Sequence, residues 1–492
     1  MKKFIVSIDQ GTTSTRSILF DLHGNPIFTS QKKFRQIYPK NGWVEHDPEE
    51  IWSSTLKVLK DVLNKCKKIN GNISTIGITN QRETTLLWDK KTGKCIYNAI
   101  VWQDRRTMKY CKSLRKKGYE RIINLNTGLL LDPYFSSTKI KWILENIKSA
   151  KILYKKDRLL FGTIDTFLIW KLTKGSVHAT DATNASRTML FNIKKNKWDK
   201  KILKIFGIPQ KILPEVKNSA DNYGYTDKSI TSISIPINAV IGDQQAAIIG
   251  QNCFNKGSTK ITFGTGAFII MNTGNNIIKS KNKLLSTICY RINNKNIYAL
   301  EGSIFMAGAS ISWLRDKLKI IDSERQVEQI SRKLKSNSNV YFVPAFTGLG
   351  APYWRPDARA TLVGLTRNSG REEIIRATLE SVVYQTSDLF NSMRKDGLKP
   401  NVVKIDGGMV ENNWFNQFLS NILGLKVFRP KVYETTALGV ALIAGYGCGI
   451  FRSISDIKKK WKLERKFRPK MTNKHRLKLL NGWSQAIRKT LS

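Results

Sequence analysis

One supersecondary pattern occurs twice in this chain, and that duplication constrains the fold more than any other feature. The stretch "FIVSIDQGTTSTRS" (4–17) opens with an apolar run that reads as a strand over 3–8. A glycine, threonine and serine turn follows, and then "RSILFDLHGNPIFTSQ" (16–31) returns as strand up to the turn signal at Asn25 and Pro26. Near the middle, "GSTKITFGTGAFIIMNTGN" (257–275) repeats the scheme: an alternating strand, a turn at Gly264, Thr265 and Gly266, and an apolar strand ending at Gly274 and Asn275. Such tips have a physical use. Without bulky side chains, backbone N–H groups converge on a phosphate, and the hydroxyls add donors. A single Gly-Thr turn is usually only a turn. Two facing each other across a cleft would hold a polyphosphate between them.

The chain has 492 residues and is 41% hydrophobic, which is too long for one ordinary core and apolar enough for two. Two large domains with a cleft between them are expected, with the boundary at 1–250 and 251–492. The basic start is followed by an apolar run that Asp9 cuts short, so no segment of secretory length is present there. The longest uncharged stretch, 435–451, falls short of the ~20 residues of a membrane span and is rich in glycine. It reads as a tightly packed buried helix, and no membrane insertion is expected. Cys66, Cys95, Cys111, Cys253, Cys289 and Cys448 are scattered without a close pair, which suits a reducing cytoplasm rather than a disulfide or zinc framework.

A net charge of +46 raises nucleic acid as a partner. The distribution argues otherwise. Lysines fall in short clusters such as "KYCKSLRKKGYE", "KKNKWDKKILK" and "DIKKKWKLERKFRPK", mixed with apolar residues at helical spacing, which describes solvated helix faces. No nucleic-acid partner is expected. The Walker-type G-x-x-x-x-G-K-[ST] loop, the kinase H-R-D loop and a helix-opening G-x-G-x-x-G are all missing, so the phosphate site must be of another kind.

Colinear motifs supply that kind. "DQGTTSTRS" (9–17), "ITNQRETTLLWD" (78–89), "YNAIVWQDRRT" (97–107), "DPYFSSTKIKWIL" (132–144), "TDATNASRTMLFN" (180–192), "IGDQQAA" (241–247), "FGTGAF" (263–268), "VPAFTGLGAPYW" (343–354) and "IDGGMVENNWFNQ" (405–417) resemble the FGGY carbohydrate kinase family, and within it the glycerol kinase branch. The resemblance runs from Phe4 to about Phe467. It implies an α/β fold of two duplicated ribonuclease H-like domains of the actin, hexokinase and Hsp70 ATPase type, with an interdomain cleft. The activity it implies is ATP-dependent phosphorylation of glycerol to sn-glycerol 3-phosphate, with ATP and Mg²⁺ required.

Phosphoryl transfer to an alcohol needs a metal-bound nucleotide and a base for the hydroxyl proton. With only four histidines in the chain, a carboxylate is the better base. An aspartate directly after a glycine is by itself more readily a turn or cap residue. The resemblance makes Asp243 the catalytic base, with Gln244 on the same substrate. It further implies an acceptor pocket of Arg82, Glu83, Tyr134, Asp243 and Gln244, walled by Trp102 and Phe268. Asp9 is the implied magnesium residue. Thr12, Thr13, Ser14 and Arg16 form the implied phosphate loop, answered by Gly264 and Thr265 from the second domain. Gly308, Ser312, Gly408, Met409 and Asn413 are the implied adenosine contacts. Ser312 stands where relatives often carry a longer amide side chain.

Lobe closure about a hinge near 251–257 is expected, because water is also a hydroxyl nucleophile. Some bacterial relatives are inhibited by fructose 1,6-bisphosphate through a glycine-rich loop with a nearby arginine. The matching segment, 226–238, has neither residue, so insensitivity is expected. Where a sugar-transport carrier docks on some relatives, the segment 467–485 is more basic, and loss of that partner is expected. The resemblance also implies a homodimer or homotetramer. A same-fold kinase of another polyol or ketose and an idle basic scaffold are the alternatives. The joint presence of Asp9, Arg82, Glu83 and Asp243 argues against the scaffold.

Overall fold

Alternating apolar residues in the first 33 positions form the expected hairpin and extend it by one strand. β1 (Lys2–Gln10) pairs antiparallel with β2 (Ser14–Asp21), and β2 pairs antiparallel with β3 (Pro26–Lys33). The computed structural model describes residues 1–355 and 357–492. β4 (Gly71–Asn80) adds parallel to β1, and β5 (Ile237–Gly242) adds parallel to β4. The first sheet therefore runs β3-β2-β1-β4-β5, with β2 opposed to the others. Between β3 and β4 lies α1 (Pro48–Lys68), started by Asp47, whose carboxylate accepts the Glu49 N–H, and by a proline at the first helical position.

The second sheet repeats this order. β6 (Ser258–Phe263) and β7 (Ala267–Gly274) form the second hairpin. β8 (Leu285–Ile292) and β9 (Lys295–Ile304) follow, then β10 (Val402–Asp406), β11 (Val427–Pro430) and β12 (Leu463–Phe467). The order is β8-β9-β7-β6-β10-β11-β12. Its inner five, β9-β7-β6-β10-β11, match the first sheet strand for strand, with β7 opposed to the other four. This is the duplicated ribonuclease H-like arrangement, and the parallel strands read as continuous apolar runs because both faces are covered.

The helix after the fifth strand of each unit crosses to the other. In chain order, the helices that matter for the site are α2 (Ser136–Asn146), α3 (Ala182–Ser186), α4 (Asp243–Gly250), α5 (Gly308–Asp316), α6 (Arg371–Lys395), α7 (Asn413–Leu423) and α8 (Thr435–Gly447). α4 follows β5 yet lies against β6, β7 and β8, while α8 follows β11 yet lies on β1, β4 and β5. α8 is apolar all round, as a helix buried on every side must be. Its seat is tight: a β-carbon on Gly77 of β4 would stand 2.7 Å from the Val440 carbonyl oxygen. One apolar cluster thereby joins Ile5 and Ile241 of the first sheet, Ile270 of the second, and Val440 and Ile443 of α8.

The lysine clusters are surface. Lys112, Lys116 and Lys117, Lys194, Lys197 and Lys201, and Lys459, Lys462 and Lys466 are all exposed. Among the described residues the six cysteines are unpaired thiols, and no helix is long and apolar enough to cross a membrane.

Candidate active site

The two hairpin turns and the ends of the parallel strands gather the chemistry, as the ligand sites of open α/β sheets do. In the first turn the Gly11 N–H donates to the Ser14 carbonyl at 3.0 Å. Thr13 is exposed, and Thr12 and Ser14 are half-buried. The Thr12 hydroxyl accepts the Trp102 indole N–H at 3.0 Å, and Ser14 Oγ accepts from Gln31 at 2.8 Å. Asp9, at the end of β1, lies opposite Arg16 on β2. Arg16 forms an ion pair with Glu434, the residue before α8. Burial pushes the Asp9 carboxyl up to about 7; Arg16 opposes the shift, and the Asp243 and Glu434 carboxylates add to it.

In the second turn the Gly264 N–H donates to Gly266 O at 2.9 Å. Its carbonyls are tied to the start of α5: Gly308 N–H reaches Gly264 O at 2.9 Å, and Ala307 and Ala309 N–H reach Thr265 O at 3.0 Å each. The Thr265 side chain is left exposed. Only glycine fits at 308, where a β-carbon would stand 2.7 Å from Gly264 O; the same point lies 3.8 Å from Met409 Cγ. Gly264, Gly308 and Met409 are therefore neighbours, although 44 residues separate the first two and about a hundred more lie before the third. Gly407 adopts φ 92° and abuts Phe263 O, whereas an atom added on Gly408 would meet nothing within 4 Å. That open space sits beside the main chain, where a flat ring could lie. Asn413 begins α7 and accepts from Arg465 at 3.0 Å; Ser312 is half-buried one turn along α5 from Gly308.

The residues expected for the acceptor pocket gather around the ends of β4 and β5. Arg82 Nε lies 3.1 Å from Asp243 Oδ1, and Glu83 adopts a left-handed φ of 62°, a strained state for a non-glycine. Bonds to its carbonyl from Ser136 Oγ at 3.0 Å and Thr85 Oγ1 at 3.1 Å hold Glu83 there. Asp243 is the first residue of α4, and its Oδ1 accepts the Gln244 N–H at 2.6 Å. Its side chain is 27% exposed against 2% for Arg82 and Glu83, so Asp243 is the more open of the two carboxylates. Trp102 completes the wall, with its ring 5.5 Å from Tyr134 and 6.0 Å from Phe268. All the acceptor residues expected from sequence are brought together, and Phe268 comes from the second unit. A separate cavity of about 820 Å³ beside Phe191, Trp198 and Leu213 shares no lining residue with them.

Four supporting residues were not anticipated. Glu301 of β9 receives Arg82 through two bonds, 2.7 and 3.0 Å, and Arg187 at 3.1 Å. Arg187, just after α3, also donates to Glu83 at 2.6 Å. Burial disfavours ionised Glu301, yet Arg187 and Arg82 prevail and hold it down at about 2. Lys260 of β6 donates its buried ammonium to Gln244 Oε1. Lys139 of α2, fully buried, donates to the Tyr134 carbonyl at 2.7 Å; burial brings it down to about 7, with Glu83 and Asp104 opposing. A lone charge within an apolar strand, as in "IYALEGSIF" or "STKITF", is the signal that marks Glu301 and Lys260.

Comparison with known proteins identifies the family. Residues 4–250 match the model of the FGGY family of carbohydrate kinases, N-terminal domain, and residues 259–448 match that of the C-terminal domain. The chain is 53% identical to a glycerol kinase of Alteromonas mediterranea, covering 99% of both chains. It is 54% identical to a glycerol kinase of Caldanaerobacter subterraneus, covering 100% of this chain and 99% of the relative. The crystal structure of Plasmodium falciparum glycerol kinase with ADP superposes with a TM-score of 0.95 at 40% identity, covering 100% of this chain and 99% of that one. A gluconate kinase from Lactobacillus acidophilus shares the fold, with a TM-score of 0.89 at 22% identity and coverage of 99% and 97%. The chain therefore belongs to the FGGY family of carbohydrate kinases, among relatives that are glycerol kinases along their full length.

Proposed function

We propose that this protein transfers the γ-phosphoryl group of ATP to glycerol, giving sn-glycerol 3-phosphate and ADP. One observation carries the reading. The Trp102 indole donates to Thr12 in the first phosphate turn while its ring packs against Tyr134 and Phe268, so a single side chain joins the phosphate cradle to a small polar pocket. A triol suits that pocket, with donors and acceptors from Arg82, Glu83, Asp243 and Gln244 beside an aromatic wall for its carbon chain.

Asp243 takes the acceptor's hydroxyl proton as the new oxygen–phosphorus bond forms. The bond from the γ-phosphorus to the bridging oxygen breaks, and its electron pair leaves on ADP. Arg82 orients the acceptor and Asp243 together. Thr12, Thr13, Ser14, Gly264 and Thr265 present hydroxyls and amides to the phosphates, with Arg16 as their cation. Gly308, Ser312, Gly408, Met409 and Asn413 border the adenosine. The residues also fit a magnesium ion, which takes few protein carboxylates and keeps several waters. Asp9 would hold it, since burial and two nearby carboxylates raise its carboxyl against the pull of Arg16, and a divalent cation would favour the ionised form. Bound there, magnesium would neutralise charge on the β- and γ-phosphate oxygens.

The working units are 1–250 and 251–492, closing about 251–257 to exclude water. A cytoplasmic homodimer or homotetramer without nucleic-acid partners completes the reading. The test is ADP release by the purified protein with Mg-ATP and glycerol, beside xylulose, ribulose, gluconate and a control without acceptor. Glycerol-dependent ADP over a near-silent control is expected. Release with one of the other acceptors alone would move the specificity within the family.

A further inference from the structure

Every acceptor-facing residue except Phe268 belongs to the first unit, yet the group that grips Arg82 most firmly does not. Glu301 lies on β9 of the second sheet, 219 residues away, and meets Arg82 through both carboxylate oxygens. Such paired bonds fix the plane of a guanidinium, because two parallel contacts allow no rotation that keeps both. The remaining nitrogens follow. With Nη1 and Nη2 held by Glu301, Nε is aimed at Asp243 at 3.1 Å, and Nη1 also reaches Gln245 at 3.2 Å.

The cluster is closed by charge. Arg82, Glu83, Arg187 and Glu301 are each no more than 3% exposed. Arg187 donates to both acids, so the two arginines and two carboxylates alternate around the site. Buried pairs of this kind contribute little net stability, because desolvation offsets their attraction; their best-attested use is to fix geometry. A second group obeys the same logic. Lys260, also from the second sheet, holds Gln244.

We infer that Glu301 is a positioning residue for acceptor selectivity: it fixes Arg82 from across the domain boundary, so that discrimination among small polyols depends on the register of the two sheets. This rests on the reading of glycerol as the acceptor. A site that hydrogen-bonds each hydroxyl penalises an analogue lacking one, but only while its own donor is held in place.

The experiment compares kcat/KM for glycerol, propane-1,2-diol and propane-1,3-diol in the wild-type protein, Glu301→Gln and Glu301→Asp. In Glu301→Gln the preference for glycerol over at least one diol should fall about tenfold, with KM for ATP within about twofold, since the lost order concerns the acceptor alone. Glu301→Asp keeps the charge but shortens the reach, and should fall between the two. A merely structural role would lower all three acceptors in proportion. An unchanged glycerol-to-diol ratio in whichever variant folds overturns the inference. Failure of the wild-type protein to phosphorylate glycerol overturns the acceptor reading instead.

Discussion

Gly250 and Gly439 meet backbone to backbone where α4 and α8 cross. A β-carbon on Gly439 would stand 1.8 Å from the Ala246 carbonyl oxygen and 2.8 Å from Gly250 N, and one on Gly250 would stand 1.9 Å from Thr435 O. The crossing matters because α4 carries Asp243 at its first residue and α8 begins beside Glu434, the partner of Arg16. Gly439→Ala must push the helices apart. It should cost about 1–3 kcal/mol or more of stability by overpacking. Thermal unfolding would register the loss, and kcat should fall further than the stability alone explains, because Asp243 moves with its helix.

Asp243→Asn keeps the shape of the site and removes the proton acceptor. Turnover should fall by about 10²–10⁴ while glycerol affinity changes little. Steady-state kinetics with equilibrium glycerol binding checks the pair of outcomes; near-normal kcat would remove Asp243 from the mechanism.

Trp102→Phe keeps an aromatic wall against Tyr134 and Phe268 but deletes the indole N–H that Thr12 accepts. One hydrogen bond of ordinary strength corresponds to about fivefold, expected in kcat/KM for glycerol. Trp102→Ala should be worse, since the ring contacts go with it.

Lys139 gives the stability a pH dependence of known sign. Its ammonium titrates near 7 in the fold and near its ordinary 10.5 when unfolded, because burial disfavours the charge. Between those values the unfolded chain binds more protons, so this group makes the protein more stable as pH rises from about 7 toward 10. The difference in denaturant midpoint between the wild type and Lys139→Met should shift in favour of the wild type as pH rises across that range. The same variant frees the Tyr134 carbonyl, so its glycerol KM should rise as well.

Feedback by fructose 1,6-bisphosphate should be absent. In the fold, 226–238 is occupied with its own structure: Asp227 caps the short helix Lys228–Thr231, and Ile235 and Ile237 are buried. Millimolar bisphosphate added to the glycerol assay should leave the rate unchanged.

Much of this molecule is written locally. The two hairpins, their Gly-Thr turns and the buried helix over 435–447 follow from periodicity and turn chemistry, which depend on neighbours in the chain. The residues expected for the acceptor pocket were named from sequence because each lies in a motif quoted from one continuous stretch. The pairings of Glu301, Lys260, Arg187 and Glu434 were not, Arg187 even though it lies inside the motif over 180–192. A charge within an apolar strand states only that a partner must exist, since burying it alone is too costly. Which partner it finds depends on how two sheets far apart in sequence face each other across α4 and α8. The sequence by itself carried the two repeated hairpins and, through its motifs, the expectation of which residues meet the substrates. Only the tertiary structure decided which buried charges hold those residues still, because ion pairing acts through space and leaves no spacing along the chain.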